Sequence, residues 1–103
     1  MKMKNLLKFI RSEHERLMDF YEFDDGEDLK SPLALKVMEE LGELYEEILI
    51  DQGLQRSEKL REGDVGEEFA DVLITILLLA ENMEIDVTKE LEDKIEKIKN
   101  RDY

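Results

Sequence analysis

Four carboxylates stand in two pairs at helical spacing: Glu40 with Glu43, and Glu68 with Asp71. Residues three apart on a helix are surface neighbours, so each pair aims two carboxylates at one point. On a helical wheel Glu40, Glu43 and Glu47 fall within about 40° of one line, with Lys36 on it, beside the apolar residue Leu44. Asp71 is the last charge before the apolar run 72–80, which only Thr75 interrupts, and the line through Glu68 and Asp71 continues through Thr75 and Asn82. Taking a carboxylate out of water is costly unless a counter-charge is present. The segment carrying Glu68 and Asp71 has no Lys or Arg, so the counter-charge must come from another helix or from a metal. If the two segments pack antiparallel, four carboxylates converge with no evident basic partner. That donor set suits a hard divalent cation, Mg²⁺ or alternatively Mn²⁺. Without metal, mutual repulsion destabilises the cluster and raises some of its pKa values.

Four helices are predicted to position these groups. The first covers about residues 4–21, with Leu6, Phe9, Ile10, Leu17, Phe20 and Tyr21 at helical spacing, and the acidic stretch 22–28 ends it. The second opens at Ser31-Pro32, a capping serine followed by a proline at the first helical position, and runs to about Asp51 before Gly53. Its apolar face is Val37, Leu41, Leu44 and Ile48. Residues 52–63 read as a polar loop. The third opens at Asp64, which with Glu67 fits a capping box, and runs to about Met83. Being apolar almost all round between 72 and 80, it is expected to be the most buried helix. The fourth, about 86–101, has a narrow stripe of Val87, Leu91, Ile95 and Ile98, with Glu90–Lys94 and Asp93–Lys97 as expected ion pairs. There is no internal repeat, so residues 1–103 read as one all-α, four-helix bundle-like domain.

Glu40-Leu-Gly-Glu43, a spacer of 24 residues and Glu68-Phe-Ala-Asp71 resemble the ExxE…ExxD signature of the MazG-like nucleoside triphosphate pyrophosphohydrolases. The flanks, Met38-Glu-Glu-Leu-Gly-Glu-Leu44 and Glu67-Glu-Phe-Ala-Asp-Val-Leu73, agree with it, and the likeness covers about residues 31–101. ExxE alone means little in so acidic a chain; both motifs in order, on helices, form a specific signal. The resemblance implies cleavage of a nucleoside triphosphate to the monophosphate and pyrophosphate with Mg²⁺, and a homodimer or homotetramer. Glu40, Glu43, Glu68 and Asp71 map onto the family's metal ligands. A helix-two glutamate, Glu40 or Glu43, is the candidate to accept the proton of the attacking water. Lys94, Lys97 and Arg101 on the last helix are candidates to meet the phosphates, as are Lys36 and the loop residues Arg56, Lys59 and Arg61. Thr75 and Asn82 are either contacts to sugar or base, or small polar residues at a helix contact. His14, among Glu13, Glu15 and Arg16, reads as a surface residue without a role.

Composition narrows the field from the other side. The 103 residues carry a formal charge of −13, which disfavours nucleic acid polymers and anionic membranes as partners. There is no cysteine and a single histidine, so thiol catalysis and a multi-His metal site within one chain are excluded. No signal peptide or membrane span is evident, and a soluble cytoplasmic protein is expected. Two rival readings stay open: a phosphoribosyl-ATP pyrophosphatase with the same acidic-pair logic, and a catalytically silent helical interaction module. A silent module is expected to have lost one of the four acids, and all four are present.

Overall fold

The computed structural model describes residues 1–53 and 64–102. They form four helices and no strand: α1 (Met3–Phe20), α2 (Glu27–Asp51), α3 (Val65–Asn82) and α4 (Val87–Lys99). The expected loop 52–63 is described only at Gln52 and Gly53, which form a turn; Arg56, Lys59 and Arg61 lie outside the described residues.

The stops of α1 and α3 share one device. After α1 the N–H of Phe23 bonds Met18 O (2.9 Å) and that of Glu22 bonds Asp19 O (3.1 Å). After α3 the N–H of Ile85 bonds Ala80 O (2.9 Å) and that of Glu84 bonds Glu81 O (3.1 Å). Both are Schellman motifs, which need a left-handed residue just beyond the helix, usually glycine. Here Glu22 (φ 56) and Glu84 (φ 57) occupy that position, whereas α2 ends on Gly53 (φ 72). At the other end of α3, Asp64 Oδ1 accepts from the N–H of Glu67 (2.8 Å), the cap expected there.

α2 starts at Glu27, before the Ser31-Pro32 expected to open it, and Pro32 lies inside the helix. Asp25 Oδ1 accepts from the N–H of Glu27 (3.0 Å), and Glu27 and Asp28 put negative charge at the positive end of the helix dipole. Leu29 and Leu33, one turn apart, are both buried. Burying Leu29 requires helix on the N-terminal side of the proline, and that packing outweighs the hydrogen bond that Pro32 cannot make.

α2 and α3 pair antiparallel. Glu47 and Asp51 line one cavity with Asp64 and Gly66; Glu40 meets Glu68 and Asp71; Leu33 and Lys36 line another cavity with Thr75 and Leu78; Gly26 meets Asn82. Residue numbers fall along one helix as they rise along the other. α1 packs on a second face of α3. Among the described residues the buried apolar core is small: Ile10, Leu29, Leu33 and Val72.

As expected, α3 has the smallest exposed share of the four helices, although Phe69 and Leu73 remain 51% and 58% exposed. Among the described residues its extensive contacts are with α2 and α1. α4 buries none of its residues, so the stripe of Leu91, Ile95 and Ile98 stays in contact with solvent. Its ion pairs also differ in register: Asp93 pairs with Lys89 (3.8 Å) and Glu96 with Lys99 (3.8 Å), in place of Glu90–Lys94 and Asp93–Lys97. The radius of gyration is 16.5 Å, against about 13 Å for a compact chain of this length.

Candidate metal centre

Glu40 from α2 and Glu68 and Asp71 from α3 each place a carboxylate oxygen within 4.8 Å of the others. Helical periodicity brings Glu68 and Asp71 to one face of α3, and the antiparallel pairing brings that face to Glu40. Glu40 is only 7% exposed, Asp71 is half-buried, and Glu47, one heptad after Glu40, is buried as well. Glu43 is exposed and stands outside the triplet. Its charge still acts on Glu68. The Glu68 carboxyl titrates above its ordinary range, first because burial disfavours the charged form, then because Glu43, Asp71, Glu40 and Glu47 add negative charge around it.

Among the described residues, one cation is seen to reach this group. Lys36 Nζ lies 3.3 Å from Glu40 Oε1 and 3.7 Å from Glu39 Oε2. The hydrogen bond to Glu40 and the charge of Glu40 hold the Lys36 ammonium above its ordinary value, aided by Glu39 and Glu43 and opposed by burial. The basic partner that was not evident in the sequence is therefore a residue one turn away on the same helix. It satisfies half of Glu40. Glu40 Oε2 and Glu68 Oε2 are buried and have no hydrogen-bond partner. An unpaired buried carboxylate oxygen is costly, and three oxygen donors at this spacing are chemically fitted to a hard divalent cation. Thr75, next on the α3 line, is buried and donates its hydroxyl to Asp71 O (2.6 Å), one turn back.

The remaining candidate residues fall elsewhere. Asn82 lies eleven residues from Asp71, about 16 Å along α3. Its Nδ2 donates to Gly26 O (2.8 Å), which turns its Oδ1 toward His14 Nε2 at 2.8 Å. A carbonyl oxygen only accepts, so His14 carries its proton on Nε2. The pair ties α1, the start of α2 and the end of α3 together, and a side chain at Gly26 would press on Asn82 Oδ1 at 3.1 Å. His14 is thus half-buried and bonded, not a surface residue. The sign that could have found it is its spacing, one turn after the buried Ile10 and one before Leu17. Lys94, Lys97 and Arg101 are exposed, and α4 has no extensive contact with α2 or α3 that would bring them to the acids.

No curated protein and no solved structure matches the chain. A family model does, that of the MazG nucleotide pyrophosphohydrolase domain, over residues 29–103. The match runs from the first turn of α2 through α4 and takes in both acidic pairs and the helices that present them. Extending over well more than half of the sequence, it shows that the chain belongs to the MazG nucleotide pyrophosphohydrolase domain family.

Proposed function

We propose that this chain is a Mg²⁺-dependent nucleoside triphosphate pyrophosphohydrolase, with Mn²⁺ as the alternative ion, converting an NTP or dNTP to the monophosphate and pyrophosphate. The observation that carries the reading is the pair of buried, partnerless oxygens, Glu40 Oε2 and Glu68 Oε2, in an all-carboxylate group. Glu40, Glu68 and Asp71 would hold the ion, with Glu43 beside them. When bound, a divalent ion neutralises phosphate oxygens and makes a coordinated water more acidic.

The chain's own part is positioning and proton transfer. Water adds to the α-phosphorus as the bond from that phosphorus to the α,β-bridging oxygen breaks, and pyrophosphate leaves. The water's proton passes to a carboxylate. Glu43 is suited to accept it, being open to solvent and one turn from Glu40. Glu40 takes that role if Glu43 is drawn into the ligand set. Lys36 stands where it can exchange Glu40 for a phosphate oxygen. Lys94, Lys97, Arg101 and Asn82 would reach substrate only across a subunit boundary. A homodimer or homotetramer would supply that boundary and cover Leu35, Met38 and Tyr45 on α2 and Leu91, Ile95 and Ile98 on α4, all exposed in one chain. Among the described residues no helix is long and apolar enough to cross a membrane. A single domain working in the cytoplasm on free nucleotides, with no nucleic acid polymer as partner, is the setting we propose.

The test is pyrophosphate release from a panel of usual and damaged (d)NTPs and phosphoribosyl-ATP, with Mg²⁺, Mn²⁺ or EDTA. Release from triphosphates should require metal and be lost in Glu43→Gln and Asp71→Asn. Cleavage of phosphoribosyl-ATP alone would move the assignment to that substrate. No cleavage of any compound would leave a silent helical module.

A further inference from the structure

A cavity of about 420 Å³ opens between α1, α2 and α3 beside the acid cluster. Leu17, Leu33 and Leu78 contribute apolar wall from the three helices in turn. One side is aromatic: the rings of Tyr21 and Phe23 stack with centroids 5.6 Å apart and planes 18° from parallel. The backbone sets this wall. Glu22, between the two rings, is the left-handed residue of the α1 stop, and the bond from Phe23 N–H to Met18 O holds the turn. Two polar residues tie the cavity to the cluster. Lys36 lines it and is bonded to Glu40; Thr75 lines it and is bonded to the backbone of Asp71. Each is one turn, about 5.4 Å, from an acid of the triplet. An apolar, aromatic-walled cavity with a few polar groups at one end fits a flat heteroaromatic ring whose substituent leads toward those groups.

We propose that this cavity seats the nucleobase of the triphosphate, stacked on the Tyr21–Phe23 wall, with Lys36 at its rim where the phosphate chain turns toward the acids. The proposal rests on the hydrolase reading above for the direction of the phosphates. The cavity itself can be probed without metal or turnover.

Two variants test it in the full chain. Phe23→Ala removes half of the aromatic wall, and Leu17→Trp fills the cavity without removing a core contact. Cytidine, uridine, adenosine and guanosine are titrated at millimolar concentration in EDTA while side-chain NMR shifts are followed. At least one nucleoside should shift Tyr21, Phe23 and Leu78, and both variants should lose that response. With Mg²⁺, each variant should raise the KM for the matching triphosphate about tenfold, the size of one base–aromatic contact. Inhibition by inorganic tripolyphosphate, which has no base, should change by less than about twofold. If Phe23→Ala fails to fold, Leu17→Trp decides alone. The proposal is overturned if no nucleoside moves these resonances, or if the KM of Leu17→Trp equals that of the parent chain. Nucleoside binding here without pyrophosphate release would keep the cavity and remove the hydrolase reading. Turnover indifferent to both variants would do the reverse.

Discussion

Glu68→Gln keeps the side chain's size and removes one negative charge from the α2–α3 contact. In the metal-free chain the carboxylate oxygens of Glu68, Asp71 and Glu40 lie within 4.8 Å of one another. Two unit charges at that separation repel by about 3.5 kcal/mol at an effective dielectric near 20. Lys36 already offsets part of Glu40, and water reaches one side of the group, so the measurable relief is about 1–2 kcal/mol. For a domain of this size that is a rise in Tm of roughly 5–10 °C in EDTA. Saturating Mg²⁺ should reverse the order. The parent chain gains about 2.7 kcal/mol at a hundredfold excess over Kd, and the variant, one ligand short, gains less. The pH dependence has a definite sign. Because burial and neighbouring charge raise the Glu68 carboxyl above its ordinary 4.5, the folded state holds that proton more tightly than the unfolded state. The stability this proton supplies is complete below 4.5 and is lost as pH rises through the higher folded-state value. The advantage of Glu68→Gln in EDTA is therefore largest near pH 7 and shrinks toward zero as the pH approaches 4.5. Thermal melts of both chains across that range, in EDTA and in Mg²⁺, decide it. Equal melting points in EDTA at pH 7, or equal gains from Mg²⁺, would refute the reasoning.

Other changes read other parts of the structure. Lys36→Gln strips Glu40 of its cation, so the metal-free Tm should fall by roughly 5 °C while calorimetry shows Mg²⁺ binding more tightly; looser Mg²⁺ binding would contradict the role of Lys36 as a stand-in counter-charge. Asn82→Ala leaves His14 and Gly26 O without their partner and should cost about 1–3 kcal/mol in urea unfolding; a cost near zero would mean that the tie between the three helices carries no weight. Glu84→Gly relieves a left-handed residue at the end of α3 and should stabilise by about 0.5–1 kcal/mol, whereas a loss in the same urea assay would show that the Glu84 side chain matters more than its backbone.

Much of the fold follows from periodicity and punctuation. The cap at Asp64 and the glycine after α2 each give a local signal, and each stands where that signal places it. The start of α2 does not, because the proline cue competes with the burial of Leu29, and only the assembled core shows which prevails. The apolar face read on α2 is met only in part: Val37, Leu44 and Ile48 are half-buried, Leu41 is exposed, and the buried positions are Leu29, Leu33, Glu40 and Glu47. The Schellman stops at Glu22 and Glu84 lack the glycine that marks such turns, so their residues look like ordinary surface acids. Around the site, the wheel puts Glu40, Glu43 and Glu47 near one line but does not say which of them turns inward. The antiparallel contact with α3 decides that, burying Glu40 and Glu47 and leaving Glu43 in solvent. The tie between His14 and Asn82 joins residues 68 apart in the chain, a pairing that no local pattern announces.

The formal charge of −13 conceals a local balance that bears on why these acids are inside at all. Well-packed apolar residues at Glu40, Glu68 and Asp71 would satisfy the α2–α3 contact without desolvating any charge. The chain instead places three carboxylates there and one ammonium, Lys36. Among the described residues the triplet therefore carries more negative charge than Lys36 offsets, and Glu43 and Glu47 add to it. A second lysine on α3 would have neutralised the group further by pairing within the protein, yet α3 has neither lysine nor arginine. Lys36 comes from α2, on a flexible stem that can let go of Glu40, whereas Glu68 Oε2 on α3 is buried without a hydrogen-bond partner. The instability of the metal-free cluster and its affinity for a cation are then two readings of the same uncompensated charge. A substitution that eases the first by removing charge should weaken the second.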